Sequence, residues 1–142
     1  MINLQLVAKK DPALKAVCEP VTPGDDVSDI IEGMFKVMRQ KLGVGLAAPQ
    51  VGVTKRIILI EYGATCTAII NPVIIKRPGK LVTSIGEGCL SFPGKKINIK
   101  RNKRVVVEGF NQDWEPIKID ARNLLAFIVQ HEVDHLNGVT IV

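Results

Sequence analysis

The chain has 142 residues, of which 46% are hydrophobic and 23% charged. This length suits one domain over residues 1–142, and the composition excludes a disordered chain, a collagen and a coiled coil. The net charge of +5 invites a nucleic-acid interpretation, but aromatic residues make up only 4% and offer few stacking platforms. We therefore expect a slightly basic, solvated surface and no specific nucleic-acid ligand.

The sequence also bears on the compartment. The longest apolar run, residues 124–129, falls far short of the roughly 18 residues that would indicate a membrane span. The first ten residues lack the features of a secretory signal or a transit peptide. The three cysteines, Cys18, Cys66 and Cys89, are odd in number and widely spaced, which argues against a disulfide framework. We predict a cytoplasmic protein without a membrane partner.

The first predicted elements are an irregular arm and a helix. Residues 1–24 contain three prolines and predict the arm, with about one turn of helix in it. Residues 25–42 predict a helix, because apolar residues recur there at three- and four-residue spacing. Gly43 would end this helix. Its candidate N-cap residues are Asp25, Asp26 and Ser28.

The middle of the chain consists of short β-branched runs separated by glycine and proline. The predicted strands are residues 56–61, 68–76, 81–85, 97–100, 105–110 and 116–119. A tight turn at residues 111–114 joins the last two. A second helix follows, with Asp120 as its N-cap and Gly138 just beyond its end. This order predicts an α+β fold with antiparallel sheets packed around the central C-terminal helix.

The second helix carries a metal-binding pattern, because residues 131–135 read H-E-V-D-H. The four-residue spacing points both imidazoles to one side, so that one metal ion can bind both. Glu132 lies close enough to handle the proton of an activated water. Leu124 and Ile128 precede the histidines on the same stripe, which predicts that the histidines face inward. Two buried histidines without partners would be costly, and this favours a metal site.

A catalytic site needs a third protein ligand beside His131 and His135. The extended protease pattern H-E-x-x-H-x-x-G-x-x-H would place a histidine at position 141, where Ile141 stands. We therefore expect the third ligand upstream, as a cysteine or a carboxylate. Cys89 is the best candidate because its flanking glycines let the backbone approach a metal closely, whereas the other two cysteines are expected to be inert packing thiols. One thiolate and two imidazoles suit zinc or ferrous iron equally.

The segment G-V-G-L-A-A-P-Q, residues 43–50, allows two interpretations. It contains the relaxed dinucleotide pattern G-x-G-x-x-A, but it follows a predicted helix instead of a strand, and no βαβ unit surrounds it. Its small residues instead predict a loop that brings its backbone against a ligand. Gln50 could donate a hydrogen bond to a developing oxyanion.

Together, three segments resemble the peptide deformylase family. That family's motifs are G-x-G-x-A-A-x-Q, E-G-C-L-S and Q-H-E-x-D-H, and here they stand in the same order at residues 43–50, 87–91 and 130–135. The resemblance covers essentially the whole chain. It implies a metal-dependent hydrolase that removes the N-formyl group from the N-terminal formyl-methionine of nascent polypeptides and releases formate.

The resemblance also implies individual roles. The implied metal ligands are Cys89, His131 and His135, with Fe²⁺ as the native ion and Zn²⁺, Ni²⁺ or Co²⁺ as substitutes. Glu132 would be the general acid and base, and the Gln50 side chain and the Leu90 backbone N–H would stabilise the oxyanion. The backbone of Gly45 would pair with the substrate as with an added strand. Glu87 would brace the cysteine loop. The methionine pocket would be lined by Val44, Leu124, Phe127, Ile128 and His131.

The sequence departs from the family pattern in two places. An arginine that many members carry beyond the cysteine motif has Lys96 as its nearest match, which leaves Glu87 without an evident arginine partner. A further C-terminal helix has no counterpart, so a compact form is expected.

Two alternative functions remain open at this point. An endopeptidase with the H-E-x-x-H helix would want the downstream ligand, and a structural metal domain bound to the ribosome would want four closed ligands. The expected partners are N-formylmethionyl peptides, with the ribosome near its exit tunnel as a further candidate. We expect a monomer in the bacterial cytosol, or in the host cytosol if the chain is virus-encoded.

Overall fold

Two antiparallel sheets and two α-helices make up the fold, which a computed structural model describes for residues 3–142. The predicted α+β class is confirmed. In chain order the elements are α1 (Ser28–Gln40), β1 (Gly45–Ala47), β2 (Ile57–Tyr62), β3 (Thr65–Lys76), β4 (Leu81–Glu87), β5 (Ile97–Asn102), β6 (Arg104–Phe110), β7 (Pro116–Arg122) and α2 (Leu124–Leu136). Short 3₁₀ helices occupy Pro12–Lys15 and Ala48–Val51. The first two residues of the predicted arm lie outside the described residues.

The larger sheet has five strands in the order β1-β2-β3-β6-β7, and β4 and β5 form a separate two-stranded sheet. In the five-stranded sheet, all neighbouring strands are antiparallel. Strand β1 therefore lies at an edge of the larger sheet and pairs with β2 on one side only. The predicted loop at residues 43–50 is in fact this edge strand followed by a 3₁₀ turn.

Strand β2 shows how the core is divided. Its first four residues are all buried, although side chains alternate between the two faces of a strand. Ile58 and Ile60 belong to a hydrophobic cluster with α2, whereas Ile57 and Leu59 belong to a second cluster with α1. The two helices thus cover opposite faces of the five-stranded sheet. Because both faces of β2 are buried, its first four residues form an unbroken apolar run.

Both helices begin later than predicted. Helix α1 starts after Val27, and Asp26 accepts a hydrogen bond from the Ser28 N–H at 3.0 Å. The prediction of Asp120 as N-cap of α2 is wrong, because β7 continues to Arg122 and Asn123 precedes the helix. The Asp120 carboxylate instead accepts two hydrogen bonds from Arg104, at 2.9 and 2.7 Å.

The far end of α2 is tied to the rest of the chain by Arg56. Its guanidinium donates to the Leu136 carbonyl and to the Asn137 side chain, both at 3.1 Å. These bonds satisfy acceptors at the helix C-terminus and place a positive charge at the negative end of the helix dipole. Within residues 3–142, no helix combines the length and apolar character that crossing a membrane requires.

Candidate active site

A cleft of about 660 Å³ lies between the edge strand β1, the end of β4 with the loop that follows it, and helix α2. Every predicted site residue except His135 borders it. The bordering residues are Val44, Gly45, Gln50, Glu87, Cys89, Leu90, Leu124, Phe127, Ile128, His131 and Glu132. His135 is not among the residues that line the cleft and is fully buried. The structure thus brings together three sequence segments that are far apart in the chain.

Cys89, His131 and His135 place their ligand atoms within 4.8 Å of one another. The sulfur of Cys89 is 3.3 Å from Nε2 of His135. The two imidazoles come from successive turns of α2, and the thiol comes from the loop after β4. One sulfur and two nitrogens that converge in this way fit a divalent metal ion of the zinc or iron type.

The carboxyl group of Glu132 is buried beside this triad. Burial raises its pKa to about 7, against the opposing effect of the His131 charge. Its Oε1 atom has no hydrogen-bond partner within the described residues. A buried carboxylate oxygen without a partner is costly unless water or a ligand binds it. A carboxyl with a pKa near 7 can both accept and return a proton at neutral pH.

Glycine is required at position 45 by the approach of β1 to Glu132. A Cβ atom there would lie 2.5 Å from Oε2 of Glu132 and 3.0 Å from the side chain of Ile128. The absence of a side chain lets the backbone of the edge strand contact the carboxylate directly. The backbone of β1 and the Glu132 carboxyl therefore share one wall of the cleft.

The ring of His131 is oriented by Glu87. Nδ1 of His131 donates to the Glu87 carboxylate at 2.7 Å, so that Nε2 is the ring nitrogen that could bind a metal. Burial opposes ionisation of Glu87, but its bonds to His131, Arg101 and Ser84 hold its pKa down at about 2. The carboxylate is therefore an acceptor throughout the neutral pH range.

Arg101 pairs with Glu87 and is only 5% exposed. It also donates to the Asp134 carboxylate at 2.6 Å, which connects β5 to helix α2. Lys96 was expected to be the nearest match to the arginine that many family members carry. The residue that pairs with Glu87 is instead Arg101. A sequence signal existed, because Arg101 shares the strand face of Ile97 and Ile99, and an inward-facing arginine needs a buried carboxylate.

His131 and His135 have pKa values that shift in opposite directions. Burial lowers the pKa of His131, but the negative charge of Glu132 and the bonds to Cys89 and Glu87 outweigh it and raise the value to about 10. Burial and the neighbouring charge of His131 lower the pKa of His135 to about 3. Helix α2 therefore presents one ring that favours the protonated form and one that favours the neutral form, and a metal ion bound at Nε2 of His131 would displace the proton from that atom.

Gln50 is fixed by three contacts from the 3₁₀ turn after β1. Its Oε1 accepts from the Ala47 N–H at 2.9 Å, and its Nε2 donates to the Ser91 hydroxyl at 3.0 Å. The same Nε2 lies 3.5 Å from the Cys89 sulfur. The amide donor thus faces the triad. Ser91 and Ser84 are positioning contacts that the sequence prediction missed.

The remaining cysteines lie away from the cleft. Cys18 is buried, as expected of a packing thiol, but Cys66 is exposed. Its thiol donates to the Glu61 carboxylate at 3.1 Å, and this bond raises the pKa of the thiol. The prediction that Cys66 packs in the interior is therefore wrong.

Known proteins of one family are similar to this chain over nearly its whole length. The profile of the family described as "Polypeptide deformylase" matches residues 3–142. A peptide deformylase of Carboxydothermus hydrogenoformans is 44% identical over 145 residues, which cover 100% of this chain and 93% of that protein. A peptide deformylase of Hydrogenovibrio crunogenus is 41% identical over 142 residues, which cover 97% and 83%.

Solved structures give the same result. The structure of a deformylase from a Vibrio parahaemolyticus bacteriophage, in complex with actinonin, is 46% identical, with a TM-score of 0.93 and coverage of 97% of this chain and 100% of that one. The Thermotoga maritima peptide deformylase is 37% identical, with a TM-score of 0.92 and coverage of 99% and 96%. The resemblance found in the three motifs is confirmed, and the chain belongs to the polypeptide deformylase family.

Proposed function

We propose that this chain, a metal-dependent hydrolase of the deformylase family, removes the N-formyl group from N-formylmethionyl peptides with the residues described above. The observation that carries the proposal is the buried Glu132 carboxyl beside the triad of Cys89, His131 and His135 in one cleft. A hydrolysis needs a proton acceptor, a polarised carbonyl and a place for the leaving amine, and these groups supply the first two.

Cys89, His131 and His135 would hold the metal ion. The donor set suits Fe²⁺, Zn²⁺, Ni²⁺ and Co²⁺, and we propose Fe²⁺ as the native ion on the basis of the family resemblance. A divalent cation held there supplies Lewis acidity and lowers the pKa of water. Glu87 would keep the His131 ring in the orientation that its 2.7 Å bond defines.

Glu132 would act as the general base and then as the general acid. Its carboxylate takes a proton from the attacking water, whose oxygen forms a bond to the formyl carbon. The same group then gives the proton to the peptide amine as the carbon–nitrogen bond breaks, which leaves formate and a free N-terminal methionine. The Nε2 donor of Gln50 and the backbone N–H of Leu90 would stabilise the oxyanion formed in between.

The substrate would bind as an additional strand on β1. This strand is at the edge of the larger sheet, and the backbone of Gly45 lies against the catalytic carboxyl. The methionine side chain would enter the apolar part of the cleft. The residues we propose for this pocket are Val44, Leu124, Phe127 and Ile128, with His131 at its base.

The wider setting is also a proposal. We propose that residues 1–142 form one catalytic domain, supported by two helices that pack on opposite faces of one sheet. The protein would act as a monomer in the cytoplasm, in protein biosynthesis, with the ribosome near its exit tunnel as a partner. Co-sedimentation with ribosomes and analytical ultracentrifugation test these two points.

The central experiment measures formate release from formyl-Met-Ala-Ser. Protein loaded with iron under anaerobic conditions is compared with zinc-loaded protein and with Glu132→Ala. Glu115→Ala, an exposed glutamate in the turn before β7, is the matched control. We expect activity in the wild type and the control and its loss in Glu132→Ala. An inactive wild type, or a fully active Glu132→Ala variant, would overturn the proposal.

A further inference from the structure

The rim of the cleft carries charge of one sign. Three exposed lysines, Lys41, Lys95 and Lys96, border the cleft. Among residues 3–142, the only carboxylates along its lining are those of Glu87 and Glu132, which are 11% and 5% exposed. The charged side chains at the exposed margin of the cleft are therefore positive.

The lysines are also free to bind a partner. None of the three takes part in an ion pair within residues 3–142. Lys96 lies over Gly88, because a Cβ at that glycine would be 2.8 Å from the Lys96 ammonium nitrogen and 3.6 Å from its Cδ. This ammonium group is thus held against the wall formed by the cysteine loop. Such a contact places the charge at the cleft instead of in open solvent.

The direction of a bound peptide follows from β1. Glu132 contacts Gly45, so the reacting end of an added strand lies at this residue. From there the wall of the cleft continues through Val44 and Gly43 to Lys41, the first residue after α1. Lys41 lies in the turn before β1, beyond the residues that can pair with an added strand. Since an extended peptide advances by about 3.3 Å per residue, we assign its contacts with the rim to roughly the third to fifth residues.

We propose that this cleft prefers formyl-methionyl peptides with acidic residues at about the third to fifth positions, because the rim lysines bind their carboxylates. The inference rests on the proposed function for the placement of the peptide. Pairs of exposed charges are individually weak, and two or three of them favour an acidic over a basic peptide by about three- to tenfold at low salt. At high salt the preference shrinks, since the screening length falls from about 10 Å at 0.1 M to about 3 Å at 1 M.

Equilibrium binding tests the inference separately from turnover. Three peptides that share a C-terminal dye, formyl-Met-Ala-Ser followed by Glu-Glu, Gln-Gln or Lys-Lys, are titrated with metal-loaded Glu132→Gln protein and followed by fluorescence anisotropy. We expect the Glu-Glu peptide to bind most tightly and the Lys-Lys peptide most weakly at about 0.02 M salt, with the differences largely lost at about 1 M.

A matched pair of triple variants identifies the groups responsible. Replacement of Lys41, Lys95 and Lys96 by glutamine should equalise the three dissociation constants. Replacement of three exposed lysines outside the cleft, Lys76, Lys103 and Lys118, removes the same charge and should leave the preference intact. Equal constants in the protein with intact lysines, or a preference lost equally in both triple variants, would overturn the inference.

Turnover of the same peptides separates this inference from the proposed function. Wild-type protein should show the same order in kcat/KM, with the difference mainly in KM. Formate release at equal rates from all three peptides contradicts the lysine preference and leaves deformylation standing. Preferential binding of the Glu-Glu peptide without formate release from any of them contradicts the proposed reaction and leaves the preference standing.

Discussion

The two helices have the same length, thirteen residues, but bury different kinds of side chain. Helix α1 buries only apolar residues and Gly33 against the sheet. Helix α2 buries four polar side chains as well, those of Gln130, His131, Glu132 and His135. Burial of a polar group is unfavourable unless it finds a partner. Helix α2 therefore carries the unfavourable free energy of burying polar side chains, which packing against the sheet does not require.

The buried polar side chains of α2 differ in whether their polar atoms have hydrogen-bond partners. Gln130 is fully used, because it bonds to the N–H and the carbonyl of Asn102 at 3.0 and 2.8 Å and to the Ala126 carbonyl at 3.0 Å. Oε1 of Glu132 and Nδ1 of His135 have no partner among the described residues. Gln130 therefore attaches the helix to β5, whereas the unpartnered atoms belong to the residues that we assign to chemistry.

The largest expected effect comes from Glu132→Gln. Formate release should fall by about 10²–10⁴-fold, because the amide cannot carry the proton. In protein freed of metal, the same change should stabilise the fold at neutral pH. Between pH 4.5 and about 7 the folded carboxyl binds more protons than the unfolded one, so its contribution to stability falls as pH rises.

Glu132→Gln has no carboxyl whose contribution to stability falls with pH. Its free energy of unfolding should therefore exceed that of the wild type by roughly 1–3 kcal/mol above pH 7. Urea unfolding across this pH range measures it. Glu32→Gln, an exposed position on α1, is the control and should change neither quantity. An advantage of Glu132→Gln that is constant with pH would show that the buried charge is not the cause.

The next effect concerns the metal ligands. Cys89→Ser should lower metal affinity by more than the roughly 10–100-fold that is typical when only a partner of a ligand is changed. Metal content after dialysis against a graded chelator measures the loss. Cys66→Ser, the exposed thiol beside Glu61, is the matched change and should retain the full content. Equal retention in both variants would remove Cys89 from the ligand set.

A third prediction compares two arginine–carboxylate pairs. Arg101→Met leaves the largely buried Glu87 carboxylate without its arginine partner and should cost about 3–5 kcal/mol of stability. Arg104→Met breaks the pair with Asp120, whose side chains are 37% and 46% exposed, and should cost less than about 1 kcal/mol. Chemical denaturation of both variants gives the comparison, and equal costs would contradict the role of burial.

The smallest effect on activity is expected in α1. Met34→Ala removes a fully buried side chain from the cluster on the opposite face and should cost about 2–5 kcal/mol of stability. Formate release per folded molecule should stay near the wild-type value, because Met34 does not border the cleft. A large fall in kcat at temperatures where the variant is folded would show that α1 influences the site.

The sequence predicts the shared direction of His131 and His135 well because that arrangement is local to one helix. A spacing of four residues determines that His131 and His135 share a side, whatever the helix packs against. Arg101 could not be assigned in the same way, since its partner depends on the pairing of β4 with β5 and on the bulge between Ser84 and Glu87. Its inward position on β5 was the only local signal.

Two other differences have the same origin. Asp120 satisfies the composition rule for an N-cap, but the register of β6 and β7 places it within reach of Arg104 and extends the strand. Strand β1 has three residues, too few for a period-two pattern to be read, and its pairing with β2 alone defines it. Pairing between distant segments is decided in three dimensions, and a local pattern does not contain it.

Strand β2 has a consequence for how the molecule opens. Because its alternate side chains belong to both hydrophobic clusters, release of either helix exposes one face of the same strand. Sub-global opening on one side should therefore lower the free energy that protects the β2 amides on the other. Hydrogen exchange at the amides of Ile58 and Leu59 would then report one shared cooperative unit. Loosening of α1 would increase exchange at Ile58 as well, on the side of β2 against which α2 packs.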